Sequence, residues 1–189
     1  MLLAVVALLA VVTVPLTGGH LSRLADVRFR APGLALGGLG AQVLVVSVLP
    51  NLPGWLAITI HFASYAAVLG FVWLNRAIPG LWLVGLGGLT NFVVIAANGG
   101  VMPASADALR TAGRSAKEAA FTNSEVVAHA RLGFLGDVLP LPAWMPFANV
   151  FSIGDVLIAV GLFVLVHGIC HSGRPAVSAP TPHDAPTPQ

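Results

Sequence analysis

Phe151-Ser-Ile-Gly-Asp155, continued by Val156-Leu-Ile-Ala-Val160-Gly-Leu-Phe-Val-Leu165-Val-His-Gly-Ile-Cys170, is the stretch that decides how this chain folds. The run from Val156 to Cys170 is apolar except for His167. Its 15 residues would rise about 22 Å as a helix. A bilayer core is about 30 Å thick and needs roughly 20 residues. A spanning helix is therefore expected to begin nearer Ala148, which would carry Asp155 below the membrane surface. An ionisable group at that depth costs at least ~2.5 kcal/mol and marks a candidate functional site. A second carboxylate, Asp137, stands 18 residues earlier in Leu135-Gly-Asp137.

Composition points the same way. Of 189 residues, 57% are hydrophobic and only 8% charged, against about 25% charged in a soluble domain. The mean hydropathy is +0.89. An all-α polytopic membrane helix bundle is expected, as one domain. The net charge of +2 gives no basic face of the kind that binds nucleic acid. The single cysteine, Cys170, can form no internal disulfide, and there is no CxxC or zinc spacing. No metal or cofactor is expected.

Five apolar runs define about five spans: Met1 to Leu16, Ala31 to Leu49, Trp55 to Leu74, Pro79 to Ala97, and about Ala148 to Cys170. The first resembles a signal peptide in length but lacks a basic leading region. Arg23, Arg28 and Arg30 follow it and would resist translocation. It reads as an uncleaved span with its N-terminus outside. The Arg-rich loop from Thr17 to Arg30 is then cytoplasmic, as is the Asn75-Arg76 turn. Pro50 to Gly54 lies outside, and the chain ends inside after Arg174. The expected location is a bacterial plasma membrane, with the bilayer as partner.

The segment 98–147 falls outside. Its charges balance: Arg110, Arg114, Lys117 and Arg131 against Asp107, Glu118, Glu125 and Asp137. Ser105 before Ala-Asp-Ala-Leu109 and Ser124 before Glu-Val-Val-Ala128 each read as the cap of a short helix. Prolines stiffen Leu139 to Pro146, and Trp144 and Phe147 suit a membrane interface. The segment is expected to pack over the outer end of the bundle. Five prolines and few apolar residues make the tail 172–189 a disordered segment. In the spans, the Gly33–Gly37 GxxxG step and Gly85, Gly87 and Gly88 permit close helix packing.

The aspartates carry the chemical reading. Two carboxylates in a poorly hydrated site cannot both ionise easily, so the pair can hold one proton between them. One can activate water while the other protonates the reacting group. In this reading Asp155 is the buried acid and Asp137 the more exposed base. Asn98-Gly-Gly-Val-Met-Pro103 would form a polar lip, with Asn98, Gly99 and Gly100 touching substrate. Asn149 and Ser152, just before Asp155, would complete the substrate side. Against this stands a plainer reading: each aspartate caps a helix or a turn, Asp155 at the start of its span, and the chain is a non-catalytic scaffold. Ion or small-solute binding is a third class. Residues 31–97 contain only Arg76 and His61 as basic or acidic groups, which argues against a proton path. Asn91 is expected to bond a neighbouring helix, and His61 and His167 to be buried or interfacial. His129 could reach a metal beside Asp137, but no HExxH-type spacing supports it.

Asn98-Gly-Gly-Val-Met-Pro103, Leu135-Gly-Asp137 and Phe151-Ser-Ile-Gly-Asp155, with Gly19-His-Leu-Ser-Arg23 and Gln42, resemble an uncharacterised bacterial membrane family, domain of unknown function 5317. The resemblance covers about residues 1–170 and implies topology but no activity. Asn98-Gly99-Gly100 is also similar to the N-x-G motif of the lipoprotein signal peptidases, intramembrane aspartyl proteases with an outward-facing site. That resemblance implies catalytic aspartates at Asp137 and Asp155 and a membrane peptide or lipid-linked substrate. Here Ser152 stands where that family has asparagine, its G-N-x-x-D-R motif is missing, and one loop replaces two spans before the first aspartate.

Overall fold

The computed structural model describes residues 2–45, 52–115 and 124–172. It is mostly helical: α1 (Leu2–Leu16), α2 (Pro32–Val43), α3 (Gly54–Leu74), α4 (Leu81–Ala97), a short α5 (Ala106–Thr111) and α6 (Ile153–His171). Strands β1 (Met102–Pro103), β2 (Ser124–Glu125), β3 (Leu139–Leu141) and β4 (Asn149–Phe151) lie between α4 and α6. Two helices, α3 and α6, are long and apolar enough to cross a membrane. The apolar helices α1 and α4 are shorter. Pro50, Asn51, Lys117, Glu118, Arg174 and the expected disordered tail beyond Ser172 lie outside the described residues, as does the expected end of the second span at Leu49.

The apolar runs at 1–16, 55–74 and 79–97 became α1, α3 and α4 with ends shifted by at most two residues. Local chemistry sets those ends. Pro32 opens α2 at a position where its missing N–H is not needed. Asn75 closes α3: its Nδ2 donates to Phe71 O at 2.8 Å and Arg30 O at 2.9 Å, while Arg30 N–H donates to Asn75 Oδ1 at 2.7 Å. That exchange ties the start of α2 to the end of α3.

The last run departs from expectation. Residues 149–151 are extended, and the helix begins at Ile153. The cause is a capping box: Ser152 Oγ accepts from Asp155 N–H, and Asp155 Oδ2 accepts from Ser152 N–H. Upstream, the backbone of 149–151 finds its partners in β3. Asp155 therefore sits in the first turn of a 19-residue helix, about 28 Å long, and not deep within a longer one. Ser124 also departs. It begins a strand, not a helix, because Ser124 and Glu125 pair in parallel with Met102 and Pro103.

The principal helix contacts run in a row, α1–α6–α4–α3–α2. The closest approach joins α4 to α6. A methyl group on Gly154 would overlap Asn91 Oδ1, and one on Gly161 would lie 2.6 Å from Val84 N. Gly33 and Gly37 of the GxxxG step have nothing near their faces. The starts of α1, α3 and α6 share one end of the row with the finish of α4. At the opposite end, Arg23 donates to Cys170 O at 2.9 Å, Gly19 packs on His171, and Gly168 on Pro79.

The segment between α4 and α6 folds over the first end. Ala104, Ala108, Leu109, Ala112 and Val150 form its own small core. Met102 joins Val94 and Ile95 of α4, with Phe62, Tyr65 and Leu135 around them. Ser105 caps α5 by accepting from Ala108 N–H, as its position implied.

Candidate functional site

Asp155 is fixed by α4 as much as by its own helix. Asn91 Nδ2 donates to Asp155 Oδ1 at 3.0 Å, and Ser152 O–H donates to Asn91 Oδ1 at 2.8 Å. With the capping box, this closes a ring of hydrogen bonds through Asn91, Ser152 and Asp155. Only a helix without a side chain at 154 lets Asn91 in so closely.

Asp137 arrives from a different direction. Its N–H donates to Pro103 O at 2.9 Å, and its C=O accepts from Ser105 N–H at 3.0 Å. This bridge to Ala104 runs beside β1, opposite the edge that pairs with β2. A side chain at Gly136 would strike Pro103 O, so the glycine of Leu135-Gly-Asp137 permits the approach. Ser124, brought by β2, donates its hydroxyl to Asp137 Oδ2 at 2.5 Å.

The two aspartates line one partly open cleft of about 240 Å³, with Ser124 and Asn149 as further polar wall and Leu2, Leu3 and Phe151 as apolar wall. Asp137 is 7% exposed; Asp155 is half-buried. The expected burial is therefore reversed, because the capping box keeps Asp155 at the helix end while β1 and β2 enclose Asp137. Burial pushes the Asp137 carboxyl up to about 6; the Ser124 hydroxyl opposes that rise, and the charge of Asp155 adds to it. The carboxylates thus sense each other. Tyr65 of α3 lies within electrostatic range of both and packs against His61 and Phe92.

The other candidates divide. Asn149 lines the cleft. Ser152 is fully buried, donates to Asn91 and is not among the residues that line the cleft. Asn98 is spent on the backbone: its Nδ2 donates to Val94 O and to Arg131 O, both at 2.8 Å, and Arg131 N–H donates to its Oδ1 at 2.9 Å. It clamps the 131–135 loop to the end of α4 and does not line the cleft. Gly99 and Gly100 line a separate cavity of about 180 Å³ with His61, Ile58 and Val101. There, His61 Nε2 is buried without a hydrogen-bond partner. No group of three or more His, Cys, Asp or Glu that could hold a metal occurs among the described residues.

Sequence reasoning placed Asn91 against a neighbouring helix, as found, but not within the site. It missed Ser124, whose position before Glu125 resembles a helix cap. The signal for Asn91 was its amide inside an otherwise apolar span, which must find a partner.

Comparison with known proteins supplies a family without an activity. A family model described as a family of unknown function, DUF5317, matches residues 26–167, a range that includes Asn91, Ser124, Asp137 and Asp155. An uncharacterised protein of Thermotoga maritima is 29% identical over 129 residues, which cover 66% of this chain and 72% of that protein. No solved structure matches. With the family match running from ahead of α2 almost to the end of α6, the chain belongs to the DUF5317 family, whose function is unknown.

Proposed function

We propose that the chain is a five-span protein of a bacterial plasma membrane, with its N-terminus and the segment 98–147 outside and its C-terminus in the cytoplasm. Three observations support this. The helices present apolar side chains outward: Leu8, Leu36 and Val160 are 64, 74 and 48% exposed. Trp55 and Trp73, near opposite ends of α3, are both exposed and stand about 27 Å apart along the helix, close to the thickness of a bilayer core. Arg23, Arg28, Arg30 and Arg76 belong to the end opposite the cleft, as the positive-inside rule asks of a cytoplasmic face.

The reading favoured for the cleft is a general acid–base site that hydrolyses a peptide or lipid-linked bond. The observation that carries it is one cleft holding two carboxyls that interact, one of them pushed up to about 6. In such a pair, the ionised member takes a proton from the attacking water. The protonated member gives its proton to the carbonyl oxygen, and a later transfer to the leaving group releases the products and restores the pair. Asn149 and Ser124 would orient the bond. The test compares Asp137→Asn and Asp155→Asn for thermal stability and for the membrane proteome and lipid extract of cells. Two folded variants in which the same uncleaved species accumulates are the expected result. Folded variants with nothing accumulating would end the enzyme reading.

A non-catalytic scaffold is the second reading. It is favoured by the capping box, which gives Asp155 a structural task at the start of α6, and by the Asn98 clamp, which ties Arg131 of the 98–147 segment to the end of α4. It expects Asp155→Asn to destabilise the protein and both variants to leave the membrane's peptides and lipids unchanged.

A further inference from the structure

Strand β4 contributes Asn149, Val150 and Phe151 to the lining of the cleft. In the β3–β4 hairpin, Leu139 stands opposite Phe151, Pro140 opposite Val150, and Leu141 opposite Asn149. Pro140 and Pro142 have no N–H. The pairs that can exchange both hydrogen bonds are therefore Leu139–Phe151 and Leu141–Asn149, and the N–H and C=O of Val150 point away from β3. No strand covers that edge among the described residues, and no hydrogen bond from another described element reaches Val150. Its side chain is committed to the small core with Ala104 and Ala108, yet Val150 lines the cleft beside Asp137 and Asp155.

We propose that the ligand of the cleft is an extended, largely apolar peptide segment, which adds to the open edge of β4 and pairs with the N–H and C=O of Val150. A donor and an acceptor at strand spacing match a peptide backbone, and pairing of this kind is how sheet edges capture extended chains. Among the described residues the lining contains no Lys, Arg or His, and two carboxyls would repel a phosphate headgroup. Leu2, Leu3 and Phe151 offer apolar contact to the side chains of such a segment. This inference rests on the cleft being a substrate site, and it names the substrate's class.

The probe is a non-repeating octapeptide of Leu, Ala, Val and Phe, acetylated, amidated and fluorescent. Binding is measured to the full-length protein in lipid nanodiscs, with the parent peptide and with each single N-methyl version. Strand addition predicts that methylation at one residue weakens binding about 5- to 10-fold, the worth of one hydrogen bond, while its neighbours change little. Val150→Pro, which removes the outward N–H and also exchanges a buried side chain of the small core, should weaken the parent peptide at least as much. If that variant does not fold, the methyl scan on the native protein decides alone. Uniform effects along the scan, or no binding up to about 1 mM, would overturn the proposal. So would glycerol phosphate occupying the cleft in the peptide's place. The hydrolytic reading fails separately. Position-dependent peptide binding with no species accumulating in Asp137→Asn cells removes hydrolysis and keeps strand addition. Accumulation of a lipid without peptide does the reverse.

Discussion

A carboxyl enclosed beside a second carboxyl gives up its proton reluctantly, and Asp137 is held in that condition. Its ordinary value is 3.8, and in the fold it is pushed up to about 6. Between those values the folded chain binds more protons than the unfolded one, so this residue's contribution to stability falls as pH rises. It is most favourable below about pH 4 and is lost by about pH 6, a change of at most about 3 kcal/mol. Asp137→Asn keeps an acceptor for Ser124 and removes the charge. Thermal unfolding should therefore show the variant more stable than native protein at pH 8, with the difference gone at pH 4. Equal curves at both values would mean that Asp137 is solvated and not enclosed. Active sites and structural networks both perturb carboxyls in this way; the proposed acid–base reading takes Asp137 as the first. The two aspartates stood out in the sequence because an acid beside an apolar run is rare. A helix partner for Asn91 and a cap at Asp155 were also expected; Ser124 at Asp137 was not. Ser124 reaches Asp137 only through a parallel pairing with Met102, a contact between distant parts of the chain that no local pattern announces.

Among elements, α4 and α6 make the contact on which the cleft depends, and glycine governs it. A methyl group at Gly154 would overlap Asn91 Oδ1, and one at Gly87 would overlap Gly154 O. Gly154→Ala should therefore separate the two helices and break the Asn91–Ser152–Asp155 ring. The expected loss is several kcal/mol, larger than the ordinary range of single substitutions. Gly37→Ala makes the contrast, since nothing stands within 4 Å of its face. There alanine's better helix propensity should leave stability unchanged or raise it by up to about 1 kcal/mol. Melting curves of the two variants under one condition check the pair, and similar losses would contradict this packing. Three helices were legible to within two residues, because apolar length alone dictates them. The start of α6 was not. Asn149 and Ser152 interrupt the apolar residues here without marking a boundary, and only the reciprocal Ser152–Asp155 cap, together with the β3 partner of 149–151, decides that the helix waits until Ile153.

For the whole molecule the question is which solvent surrounds it. Only 11% of the apolar window of α3 is buried, and 33% of that of α6. A helix in the core of a water-soluble domain would be mostly buried; these two are not, which supports the proposed apolar surrounding. The tryptophans sort by end. Trp55 and Trp144 belong with the cleft, Trp73 and Trp82 with the opposite end, and all four are exposed, from 57 to 82%. Arg76 lies over the Trp73 ring, 4.6 Å from its centre, a pairing suited to the headgroup level. Labelling from one side tests the arrangement. Cys170 is fully buried and can be replaced by Ala, after which a single cysteine is placed at Trp144, Arg28 or Arg76. In intact cells, a membrane-impermeant maleimide should label the cysteine at position 144. The cysteines at 28 and 76 should react only after the membrane is opened. Labelling of position 28 or 76 in intact cells would invert or abolish the proposed topology. It would also take the cleft away from any substrate delivered from outside, because Leu2, Leu3 and Asp155 all stand at the end that carries Trp144.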